Sequence, residues 1–172
     1  MLFNVETNKF EECFFRKVER DEIYNYRAKN GWTFDWLKPI TQSFEVYAII
    51  SATTPELIEG LIAVKANFDK DFLCVDIDIV ESSPNNRKVV NGNLNKNRKY
   101  TEVGKCLIAF ACAYSVFVGL DGYVQLTSKT SKFEYYKELG AKNTSGQAMM
   151  FYGKDAKILI EKHLHGGIKW LK

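Results

Sequence analysis

Residues 97–107, NRKYTEVGKCL, join a polar, basic run to the most apolar segment of the chain through one glycine, Gly104. A loop that opens a helix leaves backbone N–H groups unpaired at the positive end of the helix dipole, and such junctions bind anions. Six cations surround this junction: Arg87, Lys88, Lys96, Arg98, Lys99 and Lys105. The stretch predicts a pyrophosphate site. The alternative is a solvated surface loop in which Gly104 only permits close helix packing.

The segment after the junction predicts a buried helix. Val103, Leu107, Phe110 and Tyr114 recur at helical spacing, and alanines fill the other faces until Gly119 or Gly122 ends the run. The uncharged stretch, residues 106–120, is shorter than the ~20 residues that span a bilayer. We therefore expect a core helix and no membrane segment.

Composition fits one domain over residues 1–172, because 46% of the 172 residues are hydrophobic and 14% are aromatic. A net charge of +3 gives no argument for nucleic acid or membrane binding as a whole, although local clusters matter. Four cysteines without a CxxC pair suggest neither zinc nor disulfides, and the first residues lack an export signal. We expect a cytoplasmic protein, monomeric or homodimeric.

The order of elements predicts an α/β (α+β) fold. Three strands form a meander, and in the third Val75, Ile77 and Ile79 alternate with Asp76 and Asp78. A long polar loop at 82–98 precedes the helix, and residues 1–40 read as irregular. The expected strands are 44–51, 57–69, 72–81, 123–128 and 149–153, and the later helices are 132–140 and 155–164.

Two motifs resemble those of the GNAT superfamily of acyl-CoA-dependent N-acetyltransferases. Residues 99–104, KYTEVG, match a Q/R-x-x-G-x-G/A loop, with Lys99 for Arg or Gln and Glu102 for the first glycine. Residues 136–141, YKELGA, match Y-x-x-L-G-F/A. The segments SPNN, KYTEVGKCLIAFAC and TSKTSKFEYYKELGA are similar to an uncharacterised bacterial branch of that superfamily.

The resemblance implies a mixed, mostly antiparallel sheet with helices on both faces and a splayed pair of strands. Acetyl-CoA would enter between the strand ending at Glu81 and the strand starting near Tyr123, and no metal would be required. The implied cofactor-binding residues are Ile79, Val80, Lys99, Tyr100, Thr101, Glu102, Val103, Gly104 and Lys105.

The same resemblance implies the catalytic groups. Tyr136 would protonate the departing thiolate, and Glu81, or else Asp78, would deprotonate the amine. The residues themselves leave alternatives open, since Tyr136 suits a core aromatic and the carboxylates suit solvent-facing positions. Trp32, Phe34 and Trp36 are candidates for an acceptor pocket or for ordinary core, and His163 for a surface residue or a partner of the helix dipole at its C-terminus.

The predicted function is transfer of an acetyl group from acetyl-CoA to a primary amine of unspecified identity, by direct attack in a ternary complex. One alternative is a catalytically weakened CoA-binding or regulatory module, suggested by Glu102. Another is a toxin-like enzyme that acetylates aminoacyl-tRNA, for which the basic residues 87–105 would hold the RNA.

Overall fold

A computed structural model describes residues 1–90 and 92–171. The strands are β1 Leu2–Asn4, β2 Lys9–Glu11, β3 Cys13–Lys17, β4 Glu45–Ser51, β5 Thr54–Asn67, β6 Cys74–Ser82, β7 Val89–Val90, β8 Asn93–Leu94, β9 Tyr100–Thr101, β10 Val124–Thr127, β11 Lys142–Ser145 and β12 Ala148–Phe151. The helices are α1 Leu37–Thr41, α2 Val103–Phe117, α3 Phe133–Glu138 and α4 Gly153–His163. Four short 3-10 turns lie at Glu22–Asn25, Ala28–Asn30, Pro84–Asn86 and Thr130–Lys132.

The main sheet has seven strands in the order β11-β12-β10-β6-β5-β4-β3. β6 and β10 pair in parallel, and the other neighbours in this sheet pair antiparallel. Two small sheets, β2-β1-β9 and β7-β8, flank it. The predicted mixed, mostly antiparallel sheet is confirmed.

Each face of the main sheet carries its own core. On one face α2 packs on β5, β6 and α4, and the Phe110 ring stacks on Phe15 with centroids 4.5 Å apart. On the other face the segment that leads into α1 buries Trp32 and Trp36, whose rings meet edge to face at 6.2 Å. Helices therefore cover both faces, and these two tryptophans belong to the core.

Gly60 in β5 brings α2 unusually close to the sheet. A Cβ atom at this position would lie 2.7 Å from Cγ1 of Val103 and 3.0 Å from Cδ1 of Leu107. Any larger side chain would push the first turns of α2 away from the sheet. The glycine thus fixes the N-terminus of α2 over the end of β6.

A β-bulge interrupts β6 at Asp78. Ala63 pairs with Ile79 and Val64 pairs with Ile77, so Asp78 has no partner on β5. One extra residue reverses the side to which every later side chain points. Ile77 consequently packs in the α2-side core and Ile79 in the opposite core, which corrects the unbroken alternation expected from the sequence.

Two regions are more ordered than the sequence suggested. Residues 1–40 contribute β1 to β3 as well as short turns, and within 82–98 a 3-10 turn is followed by the β7–β8 hairpin. Asn86 is buried and anchors this loop, since its Oδ1 accepts from the Tyr100 N–H at 2.8 Å and its amide donates to Glu59. Asn91, also part of the predicted loop, lies outside the described residues.

Glu11 ties the small sheet to the main one. Its carboxylate accepts hydrogen bonds from Asn4, Ser51, Thr53 and the Tyr100 hydroxyl, the last at 2.8 Å. Burial opposes ionisation here, but the hydrogen bonds outweigh it and lower the pKa of Glu11 from 4.5 to about 2. The ionised form is therefore favoured by folding.

We expect Glu11→Gln to lower the free energy of unfolding most at neutral pH. Because the folded pKa lies below the unfolded one, the stabilisation is complete above about pH 4.5 and is lost as the pH falls towards about 2. Urea unfolding of wild type and variant between pH 7 and pH 2 measures the difference. The exposed Glu6→Gln is the control, and a difference that stays constant over this range would contradict the prediction.

Candidate functional site

A cleft of about 830 Å³ opens where β6 and β10 part. Their ladder runs from Val75 and Val124 to Ile77 and Leu126 and then stops, while β6 continues to Ser82. The bulge at Asp78 lies at this point of separation. The predicted splayed pair of strands is present, and the N-terminus of α2 and helix α3 complete the walls.

The register decides which backbone N–H groups of β6 face the cleft. Ser83 N donates to Glu59 O of β5 at 2.9 Å, and Val75 N donates to Tyr123 O on the β10 side, also at 2.9 Å. Because N–H directions alternate and the bulge shifts that alternation by one, Ile79 N–H points to β5 and Val80 N–H points into the cleft. Of the two predicted residues, Val80 offers the donor.

The N-terminus of α2 presents free donors to the same cleft. The first helical hydrogen bond runs from Cys106 N to Glu102 O at 2.9 Å, and no side chain caps the helix. The N–H groups of Val103, Gly104 and Lys105 are therefore outside the helical ladder, and all three residues line the cleft. Such a terminus suits a phosphate-type anion.

Glu102 adopts the backbone conformation that a glycine would adopt. Its φ is +68°, in the left-handed region. Its Oε1 accepts from Lys105 Nζ at 2.9 Å, and its Oε2 lies 3.7 Å from Nδ1 of His163 at the end of α4. The carboxylate is thus neutralised by a cation one helical turn away.

His163 is buried, whereas the sequence suggested a surface position. Burial lowers its pKa to about 4, although the neighbouring carboxylate of Glu102 acts in the opposite direction. The imidazole is therefore neutral at pH 7, and its Nε2 has no hydrogen-bond partner among the described residues. Charge compensation of Glu102 comes from Lys105.

Helix α3 contributes two tyrosines to the cleft. Tyr136 is buried, its hydroxyl makes no hydrogen bond within the described residues, and burial raises its pKa, so it stays protonated at neutral pH. The Tyr135 hydroxyl lies 3.1 Å from where a Cβ of Gly104 would be. Sequence reasoning did not select Tyr135, because a helix normally turns adjacent side chains about 100° apart.

The remaining predicted residues differ in whether they line the cleft. Tyr100, Thr101 and Asp78 line the cleft, whereas Lys99 lies outside the lining with its Nζ 5.1 Å from the centre of the Tyr100 ring. Glu81 also lines the cleft, is 7% exposed and forms an ion pair with Arg87. Its role as a base stays a prediction.

The lining of the cleft is rich in positive charge. The cationic lining residues are Arg87, Lys88, Arg98, Lys105, Lys129 and Lys132, and the acidic ones are Asp78, Glu81 and Glu102. Two of the acids are paired with Arg87 and Lys105. Across residues 1–90 and 92–171, no group of three His, Cys, Asp or Glu side chains has the arrangement of a metal site.

Solved acetyltransferases share this architecture. A point mutant of the AtaT toxin, bound to the C-terminus of the antitoxin AtaR and acetyl-CoA, superposes with a TM-score of 0.56 at 13% identity, covering 88% of this chain and 99% of that one. A Bacillus subtilis acetyltransferase in complex with CoA gives 0.51 at 14% identity, covering 81% and 95%. This chain has the GNAT fold. A structure described as a bacterial toxin gives 0.61 at 12% identity, covering 91% and 99%.

Sequence comparison adds no closer relative. No protein-family model matches the chain, and no curated protein matches it at a significant level. Among the described residues, the helices all fall short of the length and apolarity needed to cross a bilayer. The GNAT fold therefore rests on the shape of the chain, and the chemistry must come from the residues of the cleft.

Proposed function

We propose that this protein is an N-acetyltransferase that moves an acetyl group from acetyl-CoA to a primary amine in a ternary complex. The observation that carries the proposal is the cleft, which combines the free N–H groups of α2, the cleft-facing N–H of Val80 and the unpartnered hydroxyl of Tyr136. The two complexes with CoA or acetyl-CoA share the fold.

The charge and the shape of the cleft support acetyl-CoA as the cosubstrate. The pyrophosphate accepts hydrogen bonds from the N–H groups of Val103, Gly104 and Lys105, where Gly104 leaves room beside the Tyr135 hydroxyl. The pantetheine arm would lie between β6 and β10, where the two strands separate. The ion pair from Lys105 reduces the repulsion between the Glu102 carboxylate and the phosphates.

The chemistry follows from the groups at the splay. The amine nitrogen attacks the thioester carbonyl carbon, the Val80 N–H stabilises the developing oxyanion, and the carbon–sulfur bond breaks. Tyr136 donates its proton to the departing thiolate. The proton of the amine passes to Asp78 or to water, because the carboxylate oxygens of Glu81 already accept hydrogen bonds from protein donors.

Acetyl-CoA should stabilise the protein, and Gly104→Glu should abolish that effect. At one hundred times its dissociation constant, a ligand adds ~2.7 kcal/mol to the free energy of unfolding. A thermal-shift titration with acetyl-CoA measures this, and Gly104→Glu places a carboxylate where the pyrophosphate lies. Thr144→Glu, which adds the same charge on exposed β11, is the control. A Gly104→Glu variant that keeps the shift would place the cofactor elsewhere.

Tyr136→Phe should lower kcat by about 10²-fold while leaving the affinity for acetyl-CoA unchanged, because it removes the proton donor and keeps the ring. The release of CoA thiol with a panel of amines measures kcat. Tyr135→Phe, which removes the neighbouring hydroxyl from the same helix, is the matched control and should leave kcat unchanged. Wild-type turnover by Tyr136→Phe would refute the assignment, and a wild-type protein that binds acetyl-CoA but acetylates no amine in the panel would favour the regulatory module.

A second candidate is acetylation of an amine carried by RNA, and the surplus of cations in the cleft favours it. Lys88, Arg98, Lys129 and Lys132 are not paired with the acids of the cleft in the described structure. AtaT, which shares the fold with a TM-score of 0.54, has been captured with acetyl-methionyl-tRNA. Aminoacyl-tRNA is therefore a candidate acceptor.

If the amine is carried by RNA, binding of methionyl-tRNA should weaken steeply between 50 and 200 mM salt, because each phosphate neutralised by a lysine or arginine releases its condensed counterions. Filter binding across this range gives the slope. Lys129→Ala should reduce the slope by about one and should weaken binding of other tRNAs equally. Binding that does not change with salt would eliminate this candidate.

A further inference from the structure

Glu81 accepts hydrogen bonds from four donors. Thr33 N donates to Oε1 at 2.7 Å, and the indole N–H of Trp36 donates to Oε2 at 3.1 Å. Phe34 N lies 3.4 Å from Oε2, and the Arg87 guanidinium forms an ion pair with Oε1. A carboxylate has about four lone-pair positions, so each of them is matched by a donor of the protein.

These donors come from two segments that lie far apart in sequence. Thr33 and Phe34 form part of residues 33–36, which we call the acceptor wall, and both line the cleft. Arg87 also lines the cleft and belongs to the loop that carries the β7–β8 hairpin. The single carboxylate of Glu81 therefore connects β6, the acceptor wall and the hairpin loop.

The acceptor wall reaches across the opening. Lys129, which follows β10, places its Nζ 4.5 Å from the centre of the Phe34 ring. Phe34 packs against the core on the face opposite α2, so this contact lies on the side of the splay away from the helix N-terminus. An amine that approaches a thioester in the cleft from that face passes Phe34 and Lys129.

A general base needs a lone pair directed at the proton that it removes. In Glu81 the lone pairs are directed at the acceptor wall and at Arg87. Asp78, by contrast, is exposed and lines the cleft. The geometry of Glu81 is that of a group which holds other residues in place.

We propose that Glu81 is a positioning residue, which holds the acceptor wall and Arg87 so that the amine enters past Phe34 and Lys129, and that it does not exchange a proton with substrate. The acceptor half of this inference rests on the proposed function. The hydrogen-bonded connection of Glu81 to the acceptor wall and to Arg87, which we call the clamp, does not depend on that function. The clamp and the acceptor route are therefore tested separately.

Hydrogen exchange tests the clamp without any substrate. The hydrogen bonds from Thr33 N and Phe34 N to Glu81 should protect both amides from exchange in the wild type, and Glu81→Gln and Arg87→Met should each raise their exchange rates by at least about tenfold. Asp78→Asn, on the same strand but without a hydrogen bond to the acceptor wall, should leave them unchanged. Unchanged exchange in both clamp variants would overturn the proposal.

Kinetics test the positioning role, with methionyl-tRNA and a peptide with a free N-terminus as the assayed acceptors. Glu81→Gln and Arg87→Met should raise the acceptor KM about tenfold, with the affinity for acetyl-CoA and the pH profile of kcat unchanged. If Glu81 were the base, Glu81→Gln would lower kcat by about 10²-fold or more and remove the acidic limb, and Arg87→Met would not.

Two further results keep the test decisive. Removal of one partner of a buried ion pair can unfold a protein, so Phe34→Ala, which leaves the Glu81–Arg87 pair intact, provides an independent variant and should raise the acceptor KM in the same way. A wild-type KM in Phe34→Ala would refute the entry route. If neither acceptor is acetylated, the proposed function fails for those acceptors, and the exchange rates alone decide the clamp.

Discussion

The extra residue that β6 places opposite β5 is the constraint on which the cleft depends. Asp78 has no partner in the ladder, and β6 leaves β10 at this point. Without the bulge, Ile79 and Glu81 would face α2, and the Val80 N–H would bond to β5. The splay, the direction of the Val80 donor and the burial of the Glu81 carboxylate under the acceptor wall therefore have one common cause.

Much of the fold could be predicted from the sequence because the strongest patterns are local. The apolar run after Gly104 gives α2, and alternation and turn residues give the strands of the meander. The bulge could not be predicted, since Val75, Ile77 and Ile79 alternate without interruption in the sequence. An inserted residue becomes visible only when β6 is paired with β5, and this pairing is set by tertiary contacts.

The candidate site was predictable in position but not in detail. Glu102 stands where the motif usually has a glycine. Its φ of +68° lies in the left-handed region that favours glycine, so the backbone conformation is the one expected of the motif although the residue is not. A left-handed conformation costs a non-glycine residue about 1–2 kcal/mol. The ion pair with Lys105, three residues along the helix, offsets part of this cost. His163 is 61 residues beyond Glu102, so sequence spacing gave no sign of that contact.

Two lysines of the cleft, Lys105 and Lys129, lie on different sides of it. Lys105 and the free N–H groups of α2 lie where the phosphates of acetyl-CoA would bind, and Lys105 already neutralises Glu102. Lys129 lies on the other side, against Phe34, with the core opposite α2 behind that ring. A cofactor bound at the N-terminus of α2 would leave the charge of Lys129 without an anionic partner among the described residues. On the proposed entry route, where the amine passes Lys129, an acceptor with negative charge near its amine would be attracted and a polycationic amine would be repelled.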